Sequence, residues 1–208
     1  IHLCIIYGII WSIISKMGSY NFKRFIQILG GTFVATFIII GLLRGHYGQI
    51  YINVLWDDFG TSLSIVSIIG FCLNKWMWKW SIFHGWLVPF PCLEGEWEGN
   101  IFYNWNGTDK EKKIKIKIKQ SFLQIQVLIE TNESYSNSIC ASFDFDEMRG
   151  HRELIYSYIN VPDVTIRERS QIHYGTARLR YKEKDKTLEG TYWTDRKSVG
   201  DIILTKLQ

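Results

Sequence analysis

The chain divides at Pro91 into two parts whose hydrophobic residues follow different patterns. Before Pro91 the apolar residues form continuous runs, and the clearest of them, residues 26–43 (IQILGGTFVATFIIIGLL), contains no charged side chain. After Pro91 apolar and polar residues alternate, as in KIKIKIK at residues 113–119. A long continuous run is typical of a helix that spans a bilayer, and alternation is typical of half-buried strands. The sequence therefore predicts a membrane anchor followed by a β-rich soluble domain.

Two transmembrane helices are predicted within the anchor, residues 17–90. Residues 26–43 approach the roughly 20 residues that cross a bilayer, and a buried helix of a soluble protein is the alternative for this run. A second apolar run extends from about residue 61 to about residue 80. Its end contains Trp76, Trp78 and Trp80, and tryptophan favours the headgroup layer. Residues 81–90 are interpreted as a connector.

The charges around the two spans predict their orientation. Basic residues flank the outer ends of the pair, at Lys23, Arg24, Lys75 and Lys79. The linker between the spans is expected to carry Arg44, Asp57 and Asp58. By the positive-inside rule both flanks are cytoplasmic. We therefore expect a multi-pass membrane protein with its C-terminal domain, residues 91–208, in the cytosol.

Residues 1–16 do not fit the two-span pattern. They are apolar (IHLCIIYGIIWSIISK) and lack an initial methionine, whereas Met17 would give a short polar lead before the first span. We interpret them as an N-terminal extension, with a third short apolar helix as the alternative.

The distribution of charge excludes a long polyanion as partner. Residues 1–90 contain six Lys or Arg and two acids, so the net charge of +4 lies entirely there, and residues 91–208 are neutral. We therefore expect no binding of DNA or RNA. The cysteines, Cys4, Cys72, Cys92 and Cys140, form no C-x-x-C pair, which predicts separate reduced thiols and no metal site.

Eight short strands are predicted after Pro91, at residues 95–105, 113–119, 122–131, 138–145, 152–161, 174–182, 187–194 and 199–206. Eight strands of similar length can close into a small β-barrel just wide enough for one small ligand. A β-sandwich is the alternative. Trp97, in a Gly-Glu-Trp start that is also found in small ligand-binding barrels, is expected to plug one end.

The period-two pattern also selects candidate ligand-binding residues. It places apolar or small residues and a polar or aromatic group on the inward face of the first, sixth and seventh strands. Because aromatic rings stack on nucleobases and arginine pairs with phosphate, these groups suit a nucleotide ligand. The candidates are Tyr103, Tyr156, His173, Tyr192, Thr194 and Arg196. The alternative is that the tyrosines are core residues and that Arg196 is solvated.

The pattern leaves the inward face of the fifth strand open and predicts that of the fourth. On the fifth strand the pattern does not decide whether Tyr156 and Tyr158 or the intervening residues point inward. On the fourth, Ile139, Ala141, Phe143 and Phe145 are expected to share one face.

No H-E-x-x-H, G-x-S-x-G or P-loop motif is present, so no enzymatic activity and no cofactor are expected.

The order of parts resembles the CBASS antiphage effectors described as two-transmembrane, β-strand-rich (SMODS-associated) proteins. The resemblance covers about residue 17 to the C-terminus. It depends on residues 93–99 (LEGEWEG), 173–179 (HYGTARL) and 190–196 (GTYWTDR) with Gly200, and the last of these motifs is the most specific.

The resemblance implies a signalling function with a STING-like role. In that family a partner synthase makes a cyclic di- or oligonucleotide during phage infection, and the barrel binds it as an activating ligand. The protein then forms a homo-oligomer, and its helices disrupt the lipid bilayer of the inner membrane and kill the infected cell. Two alternatives remain: a membrane-tethered, lipocalin-like carrier of an apolar ligand, with an apolar mouth, and a scaffold protein with a filled barrel.

Overall fold

The computed structural model describes residues 22–45, 52–105, 107–131, 133–146 and 151–207. The chain forms two compact units that divide between Pro89 and Phe90. The extension predicted for residues 1–16, together with the start expected at Met17, lies outside the described residues.

The first unit contains two helices that are long and apolar enough to span a membrane. Helix α1 comprises Phe22–Leu43 and helix α2 comprises Ile52–Lys75, with 22 and 24 residues. Two short 3₁₀ turns, Met77–Lys79 and Ser81–Phe83, follow. The bounds predicted for the second helix, about residues 61–80, therefore differ from those observed at both ends, because the α-helix begins at Ile52 and ends at Lys75.

An ion pair explains the earlier start of α2. Asp57 and Asp58, which were expected in the linker, lie inside the helix. Asp58 is only 2% exposed, and its Oδ1 lies 2.8 Å from Nη1 of Arg44, which follows α1. A lone carboxylate in apolar surroundings is costly, and this cost suggests a break between helices at Asp58. The arginine partner offsets that cost, so the helix continues through the acidic pair.

The two helices pack against each other as an antiparallel hairpin. Gly41 lies beside Asp58, and Gly70 lies beside Leu29, where an added Cβ would be 3.3 Å from the leucine Cδ2. Hydroxyl groups along both helices donate to the carbonyl oxygen four residues earlier, as in Thr32 to Ile28 and Ser67 to Leu63, each at 2.7 Å. These bonds satisfy the hydroxyls inside otherwise apolar helices.

The second unit is a closed, antiparallel, eight-stranded barrel, which confirms the predicted fold and excludes the β-sandwich. Each strand pairs with the next in sequence, and β8 closes the barrel by pairing with β1. The strands are β1 Gly95–Trp105, β2 Thr108–Gln120, β3 Ile125–Glu130, β4 Ser134–Asp146, β5 His151–Pro162, β6 His173–Lys182, β7 Thr187–Thr194 and β8 Val199–Lys206.

One end of the barrel, which we call the closed end, is filled by apolar side chains. Trp97 is fully buried there, and its Nε1 donates to the carbonyl oxygen of Leu93 at 2.8 Å. Phe90 stacks on Phe143 with ring centroids 5.4 Å apart. Gln120 fixes the segment that precedes β1, because its Oε1 accepts from the amide of Leu93 at 2.7 Å. The ring of Trp97 therefore closes this end, as its position in the sequence predicted.

The structure decides the inward face of β5 and corrects the predicted face of β4. On β5, Tyr156 and Tyr158 are 1% and 8% exposed and belong to the inward face. On β4 the expected face was wrong for Ile139, which is 63% exposed. The pairing of β4 with β5 shifts register between Ser138 and Cys140. This bulge inserts one residue and reverses the alternation, so the faces before and after it differ by one position.

Candidate ligand-binding site

A cavity of about 470 Å³ occupies the end of the barrel opposite the closed end. At this end, which we call the mouth, the odd-numbered strands finish and the even-numbered strands begin. The volume lies in the range of roughly 300–1,000 Å³ that is typical of small-molecule pockets. All six candidates from the sequence line this one cavity, namely Tyr103, Tyr156, His173, Tyr192, Thr194 and Arg196.

Two tyrosines of β5 line the deeper part of the cavity. The rings of Tyr156 and Tyr158 have centroids 5.9 Å apart and are tilted by 43°. The Tyr156 hydroxyl is buried without a hydrogen-bond partner among the described residues. Burial raises the pKa of both tyrosines, so both hydroxyls are protonated and able to donate. Since a buried polar atom normally has a partner, the Tyr156 hydroxyl is available to a ligand or a water molecule.

His173 and Arg196 meet at the rim of the mouth. His173 is 8% exposed, and its Nδ1 lies 3.0 Å from the carbonyl oxygen of Gln171, which can only accept a hydrogen bond. Nδ1 therefore carries the proton, and Nε2 accepts from Nη2 of Arg196 at 3.5 Å. Burial lowers the pKa of His173 and the charge of Arg196 lowers it further, although the bond to Gln171 acts in the opposite direction. The imidazole is therefore neutral near pH 7.

A tight turn between β7 and β8 presents Arg196 to the mouth. The hydroxyls of Thr194 and Ser198 are 2.5 Å apart, and the amide of Thr194 donates to the carbonyl oxygen of Ser198 at 3.0 Å. Lys197 completes the turn with a φ of 61°. The guanidinium of Arg196 also donates to the hydroxyl of Ser170 at 3.4 Å. Backbone geometry and two side-chain contacts thus position this cation.

The mouth carries more positive charge than the sequence-based candidates indicated. Three further cations line the cavity in addition to Arg196: Lys110, Lys112 and Arg169. Lys112 could have been found, because it shares the parity of Ile114 on β2. Arg169 could not, because it lies in the irregular β5–β6 loop, residues 163–172, which has no periodic signal. Glu133 is the sole carboxylate among the lining residues that the structure describes.

Polar side chains of β4 and β5 complete the wall and were also missing from the candidates. The amide nitrogen of Asn160 donates to the hydroxyls of Ser134 and Ser136 at 3.1 and 2.8 Å. Ser136 is only 4% exposed, and all three residues line the cavity with Tyr158. Hydroxyl and amide groups of this kind can form hydrogen bonds with the edge of a base or with the hydroxyls of a ribose.

The arrangement suits a small ligand that combines flat rings with negative charge. Aromatic residues line the interior and cations line the mouth, so rings can stack inside while anionic groups remain at the rim. The barrel with this cavity defines a class: small-ligand receptors built on a closed β-barrel, here preceded by two helices that could span a membrane.

Comparisons with known proteins identify the family within this class. Residues 88–206 match the family model described as "Cap15, cyclic dinucleotide receptor domain". The chain is 31% identical over 187 residues to CD-NTase-associated protein 15 of Staphylococcus schleiferi, a match that covers 89% of this chain and 97% of the relative. It is 28% identical over 137 residues to CD-NTase-associated protein 15 of Yersinia aleksiciae, covering 65% and 64% of the two chains. The chain belongs to the Cap15 family of CBASS effectors, and its barrel is the cyclic dinucleotide receptor domain of that family.

Proposed function

We propose that the mouth cavity binds a cyclic dinucleotide made by a partner CD-NTase synthase, and that this binding activates the protein. The observation that carries the proposal is the chemistry of the cavity, within the residues that match the receptor family. Among the residues that the structure describes, four cations line the mouth, and the buried hydroxyl of Tyr156 has no hydrogen-bond partner. A cyclic dinucleotide has two anionic phosphodiesters and two bases, and it therefore needs both features.

Each candidate residue has a role in this proposal. Tyr103, Tyr156 and Tyr192 contact the bases through their rings or hydroxyls, and Arg196 pairs with a phosphate oxygen. Thr194 and neutral His173 supply hydrogen bonds at the rim. The protein acts by binding, not by catalysis, and it needs no cofactor other than this activating ligand.

The polar mouth argues against the two alternative functions. A lipocalin-like carrier of an apolar ligand would be lined by apolar groups up to its rim, but Lys110, Lys112, Arg169 and Arg196 lie there. A scaffold protein would have a filled barrel, but the cavity of about 470 Å³ is large enough for a ligand.

In this proposal the two helices carry out the effector step, which is disruption of the membrane. The protein is placed in the bacterial inner membrane as a multi-pass protein with the barrel in the cytoplasm, as the flanking lysines suggest. Ligand binding favours a homo-oligomer, and the gathered helices disrupt the bilayer and kill the infected cell. Two helices alone cannot line a wide pore, so the damage requires several copies.

Calorimetry tests the ligand class. The 208-residue chain in detergent micelles would be titrated with a panel of cyclic dinucleotides built from adenine, guanine, uracil and cytosine nucleotides. A single-stranded DNA oligomer and a long-chain fatty acid serve as controls for the excluded partners. Saturable binding of at least one cyclic dinucleotide is expected. Binding of the fatty acid alone would favour the carrier, and binding of no panel member would refute the proposal.

A further inference from the structure

One acidic side chain lies where negative charge is least expected, among the cations of the mouth. Glu133 follows β3 in the turn that leads into β4, and it lines the same cavity as Lys112 and Arg169. Its Oε2 lies 3.3 Å from Nζ of Lys112, and its Oε1 lies 2.5 Å from Nη2 of Arg169. One carboxylate therefore holds two of the four lining cations, each through a different oxygen.

The backbone keeps Glu133 in this position. Its amide donates to the hydroxyl of Thr131 at 3.3 Å, and its carbonyl oxygen accepts from the amide of Asp163 at 2.9 Å. Asp163 begins the β5–β6 loop, and Arg169 belongs to the same loop. The turn and the loop are thus joined twice at Glu133, once through the backbone and once through the side chain.

The side-chain part of this connection is replaceable by a ligand. The side chain of Glu133 is 45% exposed and that of Arg169 is 65% exposed, so solvent reaches both side chains. A phosphodiester presents two anionic oxygens to neighbouring cations much as a carboxylate does. Lys112 and Arg169 cannot pair fully with Glu133 and with an entering phosphate at the same time, so the two anions compete for these cations.

We infer that Glu133 is an affinity-setting residue of the cavity, whose carboxylate occupies a phosphate subsite between Lys112 and Arg169 and is displaced when an anionic ligand enters. This inference rests on the proposed function, since it assigns a subsite of the same cavity. The residue tunes affinity: it keeps the two cations in place when the cavity is empty, and it competes with the phosphate for them.

Glu133→Gln tests the inference, because the amide keeps the size of the side chain and removes its charge. Calorimetry of the 208-residue variant in detergent against the same cyclic dinucleotide panel should show binding about three- to tenfold tighter than wild type, the range expected when one or two partly exposed ion pairs no longer compete. If Glu133 only held the loop in place, the variant would bind more weakly or equally, and either result would overturn the inference.

Two controls separate this effect from general electrostatics. Glu96→Gln removes the same charge from the outer face of the barrel, where Glu96 Oε1 lies 3.4 Å from Nζ of Lys117, and it should leave affinity within about twofold of wild type. The second control compares the double variant Glu133→Gln with Arg169→Ala against Arg169→Ala alone. The gain in affinity from Glu133→Gln should be smaller there, because one of the two released cations is gone. An equal gain in that background, or with Glu96→Gln, would refute the subsite.

The outcome is distinguishable from failure of the proposed function. If no cyclic dinucleotide binds wild type or either glutamine variant, the proposed function fails and this inference fails with it. If wild type binds a panel member and Glu133→Gln binds it no tighter, only the subsite is wrong. Thermal unfolding of each variant confirms that the barrel is folded at the temperature of the titration.

Discussion

The ring of Tyr158 on β5 lies over the α-carbon of Gly175 on β6, and the two residues are direct cross-strand partners. A Cβ atom at residue 175 would lie 2.9 Å from Cε1 of the tyrosine, and closer still to Cζ and the hydroxyl oxygen. The absence of a side chain at Gly175 therefore allows the tyrosine to lie flat against the wall of the cavity. Tyr192 has the same relation to Gly200 on β8, where a Cβ would lie 2.7 Å from its Cε1.

Gly175→Ala is therefore expected to push Tyr158 into the cavity. Overpacking of this kind typically costs about 1–3 kcal/mol of stability. We expect a lower midpoint of thermal unfolding and weaker cyclic dinucleotide binding. Tyr158→Ala provides the control, because Gly175→Ala should cost much less in a background that lacks the ring. An alanine that costs the same in both backgrounds would mean that the clash is with another group.

Arg196→Ala should weaken binding without unfolding the barrel. The loss of a charge-assisted contact to phosphate typically costs about 1.5–3 kcal/mol, which is roughly ten- to a hundredfold in affinity. Tyr192→Ala should act in the same direction through lost stacking. Lys184→Ala removes an exposed charge from the β6–β7 turn at the closed end and should leave affinity unchanged. Wild-type affinity in both mouth variants would exclude Arg196 and Tyr192 from the site.

The strict alternation of the sequence explains why most of the barrel was predictable. Buried and exposed positions alternate along β2 from Ile114 to Gln120, and along β6 from His173 to Leu179. A strand with one buried face fixes its own register, so the inward set on these strands follows from parity alone. The same rule placed five of the six candidates, and only the structure decided the face of Tyr156; all six line one cavity because the mouth is where strands that are distant in sequence finish or begin.

The features that the sequence analysis missed lie in a bulge, a loop, a turn and a long-range ion pair, none of which produces a periodic pattern of apolar residues. The bulge at Ile139 reversed the face of β4, and no residue type announces a bulge of this kind. Arg169 and Glu133 lie in a loop and a turn, and their pairing joins residues that are distant in sequence. The early start of α2 depended on Arg44, a partner that only the folded hairpin places beside Asp58. Long-range charge pairing was therefore the main source of error.

The stability of the barrel should fall as the pH is lowered below about 6.5, because of His173. Its pKa is lowered from 6.5 in the folded protein, mainly by burial, so the unfolded chain takes up a proton first as the pH falls. Stability from this group is complete above 6.5 and is lost progressively as the pH falls through the lowered pKa. The lowered pKa values of Glu133 and Glu153 act only below about 4.5, the usual value for glutamate.

Thermal unfolding between pH 7.5 and 5 measures this effect. His173→Gln keeps a polar side chain but cannot titrate, so its unfolding midpoint should depend less on pH than that of wild type. The difference between the two slopes isolates His173 from the other titratable groups. Parallel slopes would show that the imidazole has the same proton affinity in the folded and unfolded chains.

The proposed topology predicts where a reporter is active. A fluorescent reporter that matures only in the cytoplasm, fused after Lys79, should be active, because the basic flanks of both helices are expected on the cytoplasmic side. Alkaline phosphatase, which requires the periplasm, should be inactive at the same position and active when fused after Gly45. Phosphatase activity after Lys79 would reverse the proposed orientation.

The last prediction concerns the surface through which copies associate. Small residues allow close packing of membrane helices, and the sequence offers several: Gly30, Gly31, Gly41, Ser62, Ser64, Ser67 and Gly70. Some of these small residues lie at the contact between α1 and α2 of the same chain. Ser62 is fully buried, and Gly41 and Gly70 lie against Asp58 and Leu29 of the same chain. Within the part of the chain that the structure describes, no atom outside the backbone of α1 lies within 4 Å of a Cβ added at Gly30 or Gly31, and Ser64 and Ser67 are exposed.

Gly31→Leu is therefore a sharper probe of association than a change at Gly70. Among the described residues no neighbouring atom lies within 4 Å of a Cβ at residue 31, so the described hairpin accommodates a leucine there, but this side chain would block close approach of a second chain. Gly70→Leu would instead collide with Leu29 and disturb the hairpin itself. We expect Gly31→Leu to bind a cyclic dinucleotide as wild type does, but to lose ligand-dependent crosslinking in membranes and toxicity in cells.

Val34→Leu is the matched control for the Gly31 variant, because Val34 is an exposed side chain of α1 that is already bulky. It should retain both crosslinking and toxicity. A ligand shifts an assembly equilibrium only through different affinities for the two states, so wild type must crosslink more with the cyclic dinucleotide than without it. Tethering in the bilayer raises the local concentration of the helices and strengthens this response. A ligand-bound protein that is toxic as a monomer would show that the helices act without association.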